Sequence, residues 1–158
     1  VIFFEHKRLY MTKGHVPEDA TPIPLGKADI KRKGKHVTVV GVQRMVQFAL
    51  QAADELSKEG LEVEVIDPRC YSPLDEETIL ESVAKTGYLV IVDESYPRCN
   101  LATDISALVA DKGFENLKGP IKCLTAPHTP VPFSPPMEDY YLPSPGKIAE
   151  AVRHLVER

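Results

Sequence analysis

The chain has 158 residues, 43% hydrophobic and 27% charged, which suits one compact domain whose core needs no disulfide or metal staple. Nineteen basic and twenty-three acidic residues give a net charge of −4, which argues against a nucleic-acid binder, whose usual footprint is a basic face. No run of about 18 apolar residues occurs, so no spanning helix is expected, and nothing resembles a cleavable signal peptide.

The charge is uneven. Residues 1–36 hold eight Lys/Arg and four Asp/Glu, net +4, and the rest hold eleven and nineteen, net −8. A basic leader on an acidic body reads either as a docking arm or as the solvated face of an exposed linker. The opening Val1-Ile2-Phe3-Phe4 run is strand-like, and residues 11–35, with Pro17, Pro22, Pro24, Gly26 and Gly34, read as an extended connector. Within that connector, Lys27 to Lys33 is expected to pair with Val37 to Val42 through the Lys33-Gly34-Lys35 turn, forming an antiparallel edge strand.

From Val37 the periods alternate. Val37 to Val42 is a continuous apolar run rich in β-branched residues, the pattern of a strand covered on both faces. Met45, Ala49, Ala52, Ala53 and Leu56 then recur at helical spacing, and Gly60 stands where a left-handed cap is wanted. Leu61 to Ile66 is a second strand. Ser72 to Glu77 places capping residues and acid at the start of a helix carrying Ile79, Leu80 and Val83. Tyr88 to Val92 is a third strand, followed by a helix with Leu101, Ile105, Leu108 and Val109. Ile121 to Leu124 is a fourth. Residues 126–145 hold seven of the fourteen prolines and are expected to form a stiff loop without helix. A last helix opens with Ser144 as cap and Pro145 just inside it. Four strand–helix alternations demand a parallel sheet with helices on both faces.

Ligands of such sheets bind beyond the carboxyl ends of the strands, which here supply Gln43 and Arg44, Arg69 and Cys70, Glu94 to Asn100, and Ala126 to Thr129. Gly41-Val42-Gln43-Arg44-Met45 carries neither a dinucleotide fingerprint nor a Walker lysine. A hydrolase would recruit Ser95 or Cys99 with His128, yet Asp93-Glu94-Ser95-Tyr96-Pro97 lacks the glycines of a nucleophile elbow. Capping or ion pairing, for example with Arg98, is the expected fate of Asp93 and Glu94. Cys70, Cys99 and Cys123 make no metal spacing, and their odd number fits a reducing, cytoplasmic or matrix-like compartment with the thiols buried. The five histidines are scattered and form no metal constellation. Phe133, Met137, Tyr140 and Tyr141 crowd the proline-rich stretch, where stiff aromatic segments make good interface anchors.

Several stretches in order resemble one family: Val1 to Tyr10, Val37 to Val42 with Met45-Val46, Val63 to Arg69 with Ser72 to Asp75, Leu89 to Glu94, Ala126 to Phe133, and Leu142 to Pro145. The chain is similar over nearly its whole length to the carboxyl-terminal part of the β subunit of thiamine-diphosphate-dependent 2-oxo acid dehydrogenases. The Pro-Val-Pro-Phe-Ser-Pro stretch lies closer to pyruvate and acetoin types than to branched-chain ones. Relatives usually carry Thr-Leu at Cys70-Tyr71 and often a glycine near Gln43, so loop detail there need not carry over.

The resemblance implies a three-layer α/β/α sandwich of the transketolase carboxyl-terminal-domain type, with a mostly parallel five-stranded sheet and one antiparallel edge strand. It also implies a division into residues 1–10 as the last strand of a preceding pyrimidine-binding domain, 11–35 as linker and edge strand, and 36–158 as the domain itself. In that family thiamine diphosphate and magnesium serve the complete enzyme, but their Gly-Asp-Gly motif and the activating glutamate match nothing here. No catalytic, cofactor or metal residue is therefore carried over, and the chain alone is expected to bind neither group. The implied role is assembly: a homo-oligomer, with a dimer favoured, that meets an α subunit and the lipoyl acyltransferase, without nucleic acid or membrane. Glu94, Tyr96, Arg98, Asn100, Phe133 and Tyr140 are the candidate contact residues, chosen for exposure at the sheet edge and loop. The competing readings are a stand-alone or engineered oligomerisation module on the same fold, and the small hydrolase.

Overall fold

The computed structural model describes residues 2–19 and 21–157. A 3-10 turn at Lys7–Leu9 precedes β1 (Asp29–Arg32), β2 (Val37–Gly41), α1 (Met45–Ser57), β3 (Val63–Asp67), α2 (Glu76–Thr86) and β4 (Leu89–Val92). Then come α3 (Leu101–Lys112), a 3-10 turn at Phe114–Asn116, β5 (Lys122–Leu124), α4 (Pro135–Tyr141) and α5 (Pro145–Val156). The five strands lie in the order β1-β3-β2-β4-β5, all parallel except β1, with helices on both faces.

The two-residue period of the strands sorts the core into two layers. Val37, Val39, Val63, Val65, Val90 and Val92 point at α1 and α5, where they meet Met45, Ala49, Ala53, Leu56, Ile148, Val152 and Leu155. Val40, Ile66, Leu89 and Ile91 point the other way, at Ile79 and Val83 of α2 and Ala102, Ile105 and Val109 of α3. A strand clad on both sides has no polar face, which is why these runs are continuously apolar.

The helices begin where the sequence marks them. Asp75 accepts from the Thr78 N–H at the start of α2, and Ser144 from the Lys147 N–H at the start of α5, with Pro145 in the first turn. Gly60 sits beyond α1 at φ +83°, the left-handed position a side chain would disfavour.

Three expectations need correction. The antiparallel edge strand exists, but it pairs with β3 (Asp29 opposite Asp67, Ile30 opposite Ile66) and not with Val37 to Val42. Both sides of β2 are already taken by β3 and β4, so no hairpin can form there. Residues 33–36 instead cross the start of β3, where the Lys35 and His36 N–H groups both donate to the Glu62 carbonyl at 3.0 Å. Gly34 permits the crossing, because a Cβ there would lie 2.3 Å from the Glu64 nitrogen. The proline-rich stretch does contain a helix, α4: Pro135 and Pro136 occupy its first turn, where no amide donor is required. Finally, Val1 lies outside the described residues, and Ile2 to Phe4 form no strand and are exposed.

A polar network centred on Glu64 is buried inside this frame. Glu64 on β3 is 1% exposed and accepts from the Ser82 hydroxyl (2.6 Å), the Gly34 N–H (3.2 Å) and the Lys85 ammonium. The Thr38 hydroxyl joins those of Ser82 and Thr86 at 2.7 and 2.8 Å, so the network ties β2, β3 and α2 together. Burial pushes the Glu64 carboxyl up, but the bonds from Lys85, Ser82 and Gly34 outweigh it and hold the group below the ordinary glutamate range. A carboxyl depressed in the folded state stabilises above its unfolded value, and that stability is lost as pH falls through the folded value. Glu64→Gln is therefore expected to lower the melting temperature at neutral pH. The gap to the parent should close as pH falls from about 5 towards 3, read by circular dichroism melts. A gap that stays constant across that range would contradict the assignment.

Candidate partner interface at the carboxyl ends of the strands

The chain leaves β2 for α1 and β3 on one side, then returns past β2 to form β4 on the other, so the sheet order reverses between β2 and β4. Such a switch point opens a crevice beyond the strand ends. Gly41 closes β2 directly against α1, since a Cβ there would lie 2.7 Å from the Val46 nitrogen. Among the described residues, the three non-glycine positions in the left-handed region, Gln43 (φ +50°), Arg69 (+55°) and Cys99 (+52°), all lie in loops at this end of the sheet. Strain of this kind collects where loops are over-determined for a purpose.

Two hollows share this end. One, of about 360 Å3, is lined by Val42, Gln43, Tyr71, Asp93, Glu94, Ser95 and Leu101. Burial, then the charges of Asp93 and Asp67, push the Tyr71 phenol up to about 12, with Gln43 pulling the other way. The second, of about 180 Å3, lies under the leader and is lined by His6, Arg8, Arg44, Glu94, Val131, Glu138, Tyr141 and Leu142. His6 Nε2 meets Glu94 Oε1 at 2.5 Å and Arg8 donates to Glu138 at 2.8 Å, joining residues 88 and 130 positions apart. Lys27 faces Asp75 and Glu77, Arg32 pairs with Asp54, and Asp29 with Arg69. All but the Asp29–Arg69 pair set a base of the leader against an acid of the body.

The candidate contact residues divide. Glu94 is half-buried and pairs with His6 rather than Arg98, correcting the expected partner. Arg98 is exposed and makes no ion pair among the described residues. Tyr96 is partly exposed, with its ring centroid 5.5 Å from that of His128. Asn100 is only 8% exposed: its side chain accepts from the Thr103 N–H at 2.8 Å, and its own N–H donates to the Thr103 hydroxyl, a reciprocal cap on α3. That side chain is committed to the helix, so Asn100 is corrected from contact residue to cap.

Phe133 is fully exposed and Tyr140 84% exposed, and Val131 and Met137 stand out beside them in the loop and on α4. Tyr141 turns inward and donates to the Thr129 carbonyl at 3.0 Å, tying the loop down. Lys147 donates to the carbonyls of Tyr140 and Leu142 and steadies the end of α4. The aromatic crowding signalled Phe133 and Tyr140; nothing in the spacing singled out Val131.

The other chemistry does not assemble. Ser95 lines the larger hollow without His128, and no hydrogen bond joins Ser95 or Cys99 to that histidine. None of the three cysteines is buried, contrary to expectation, and all are free thiols. No group of three or more His, Cys, Asp or Glu among the described residues could hold a metal, and no helix among them is long and apolar enough to cross a membrane. No Lys or Arg lines the larger hollow at the switch point to meet a diphosphate, so its lining does not fit that group of thiamine diphosphate.

Residues 26–148 match the family described as "Transketolase, C-terminal domain". Among curated proteins, the chain is 59% identical over 156 residues to the acetoin:2,6-dichlorophenolindophenol oxidoreductase subunit beta of Bacillus subtilis (strain 168), covering 99% of this chain and 46% of that one. It is 42% identical to the 2-oxoisovalerate dehydrogenase subunit beta of that organism, over 99% of this chain and 48% of the other. It is 39% identical to its pyruvate dehydrogenase E1 component subunit beta, with the same coverage. The acetoin type stands nearer than the branched-chain one, whereas the pyruvate type does not. The chain spans about half the length of the curated relatives it matches. A solved structure titled "Split gene transketolase, inactive beta4 tetramer" superposes with a TM-score of 0.74 at 24% identity, covering 90% of this chain and 46% of that one.

Asn100→Ala is expected to lower the unfolding free energy by about 1 kcal/mol. Arg98→Ala should stay within about 0.5 kcal/mol, both read by urea denaturation. Equal losses at the two positions would contradict the division of roles.

Proposed function

The chain belongs to the transketolase C-terminal domain family, and from that premise we propose that it is the assembly and docking domain of a β subunit in the decarboxylating component of a 2-oxo acid dehydrogenase of the acetoin or pyruvate type. The observation that carries this reading is the set of exposed apolar side chains over residues 131–140, Val131 and Phe133 in a loop stiffened by Pro130 and Pro132, and Met137 and Tyr140 on α4 behind Pro135 and Pro136. Wholly burying one such aromatic ring is worth roughly 2–3 kcal/mol, and a loop already rigid loses little entropy on docking. Tyr96 and Arg98 add a polar rim of the kind interfaces use.

In this reading the chain pairs with a second copy of itself and contacts an α subunit and the lipoyl acyltransferase. Thiamine diphosphate and magnesium act in the complete enzyme. The chain alone decarboxylates nothing, and no Lys or Arg lines the larger hollow to meet a diphosphate.

Phe133→Ala and Tyr140→Ala should each weaken binding of the chain to the lipoyl acyltransferase at least tenfold by surface plasmon resonance, with unchanged circular dichroism. Binding that is undiminished in both variants would overturn the docking surface. Adding thiamine diphosphate, magnesium and either pyruvate or acetoin to the isolated chain should give no turnover and no cofactor-dependent rise in melting temperature. Saturable turnover would overturn the assembly role.

A further inference from the structure

Residues 2–10 are joined to the body of the domain by side chains alone. The backbone hydrogen bonds of this segment close locally: the Leu9 N–H on the His6 carbonyl at 2.9 Å, Tyr10 on Lys7 at 3.3 Å, and Thr12 on Leu9 at 2.9 Å. Its apolar side chains do little to hold it. Ile2, Phe3 and Phe4 are 81%, 83% and 73% exposed, Tyr10 stands in solvent with them, and Leu9 is half-buried. Two polar links remain. His6 Nδ1 accepts the Arg8 N–H at 3.2 Å, which leaves Nε2 to donate to Glu94, and the Arg8 guanidinium donates to Glu138 on α4. Behind the segment, residues 13–19 and 21–25 make no hydrogen bond or ion pair among the described residues. The chain is next fastened at Lys27 and Ala28, both to Asp75. A segment with so little buried apolar surface opens at low cost, and partly exposed ion pairs hold weakly and are screened by salt. Beneath it lies the smaller hollow, whose other walls include Arg44, Val131, Tyr141 and Leu142.

We infer that residues 2–10 form a releasable strap over this hollow, latched by His6 on Glu94 and by Arg8 on Glu138 and hinged on residues 11–25. Latched, the strap closes the hollow. Released, it bares Arg44 with the apolar walls Val131 and Leu142 and frees both carboxylates. Both links end on a carboxylate, so ionic strength sets how much of the protein is open. The strap moves without a partner, and its opening stands or falls apart from the docking role.

The test uses the whole chain in two-dimensional amide NMR at constant pH. Sodium chloride is raised from about 20 to about 500 mM, which shortens the screening length from roughly 20 Å to about 4 Å. The His6→Ala/Arg8→Gln double variant, altered only on the strap, supplies the released positions of the amides of Glu5 to Leu9. Salt should carry the parent's strap amides along the line towards those positions, raising the ratio of released to latched protein about fivefold or more. The amides of Arg44, Val131 and Leu142 should move with them, and those of Val39 and Ile91 in the sheet should stay. The Glu94→Gln/Glu138→Gln double variant should be largely released already at low salt. Heteronuclear NOE values of the strap should fall in step. Strap amides that keep their positions through the salt range, or that are as mobile at low salt as in the His6→Ala/Arg8→Gln protein, would overturn the strap. A melting temperature lowered by more than about 3 °C in that variant would do so too, because the segment would then be part of the fold. Should Glu94→Gln/Glu138→Gln disturb the fold, the salt series and the strap-side variant decide between the same outcomes.

Discussion

The structure rests on the complete enclosure of β2. Its five residues, Val37 to Gly41, are all buried, with β3 and β4 hydrogen-bonded along its two edges and helices over its two faces. A strand so placed cannot present a side chain to solvent, and its backbone groups are already satisfied. Whatever this domain does must be done where the strands end. The short connections there explain why the strained residues, both hollows and the exposed aromatic strip lie on loops and terminal turns rather than on the sheet.

Enclosure also decides how polar groups are admitted. Thr38 and Glu64 sit on strands that are otherwise apolar, and each is tolerated because α2 supplies Ser82, Thr86 and Lys85 opposite them. The result ties one helix to two strands at one register. A half-satisfied network of this kind would cost more than an apolar one, so its members stand or fall together.

How much of this was legible in the sequence depends on how local each signal was. The four parallel strands and their helices announce themselves through β-branched runs and caps such as Asp75 and Ser144, whose partners lie within a few residues. The edge strand was legible as a strand but not in its pairing. Lys33-Gly34-Lys35 reads locally as a hairpin, whereas the vacancy beside β3 and the saturation of β2 are properties of the finished sheet. Helix α4 escaped because a count of prolines hides where in the turn they fall. Asn100 has the same composition signal as a contact residue and as a cap, and only Thr103 three positions on separates the two. The pairing of His6 with Glu94 spans 88 residues and leaves no trace in spacing. The apolar strip was half visible, since aromatic crowding marks Phe133 and Tyr140 but says nothing about which ring, like Tyr141, turns inward.

The two rims of the sheet are unequal in a way that bears on crowded solutions of this protein. β1 carries Asp29, Lys31 and Arg32 along a rim only four residues long, and β5 at the opposite rim has three. Neither offers a ladder long or bare enough to recruit a foreign strand, and the charged side chains of β1 resist burial against one. Sheet extension from molecule to molecule, the route to fibrils, is thereby disfavoured at both margins.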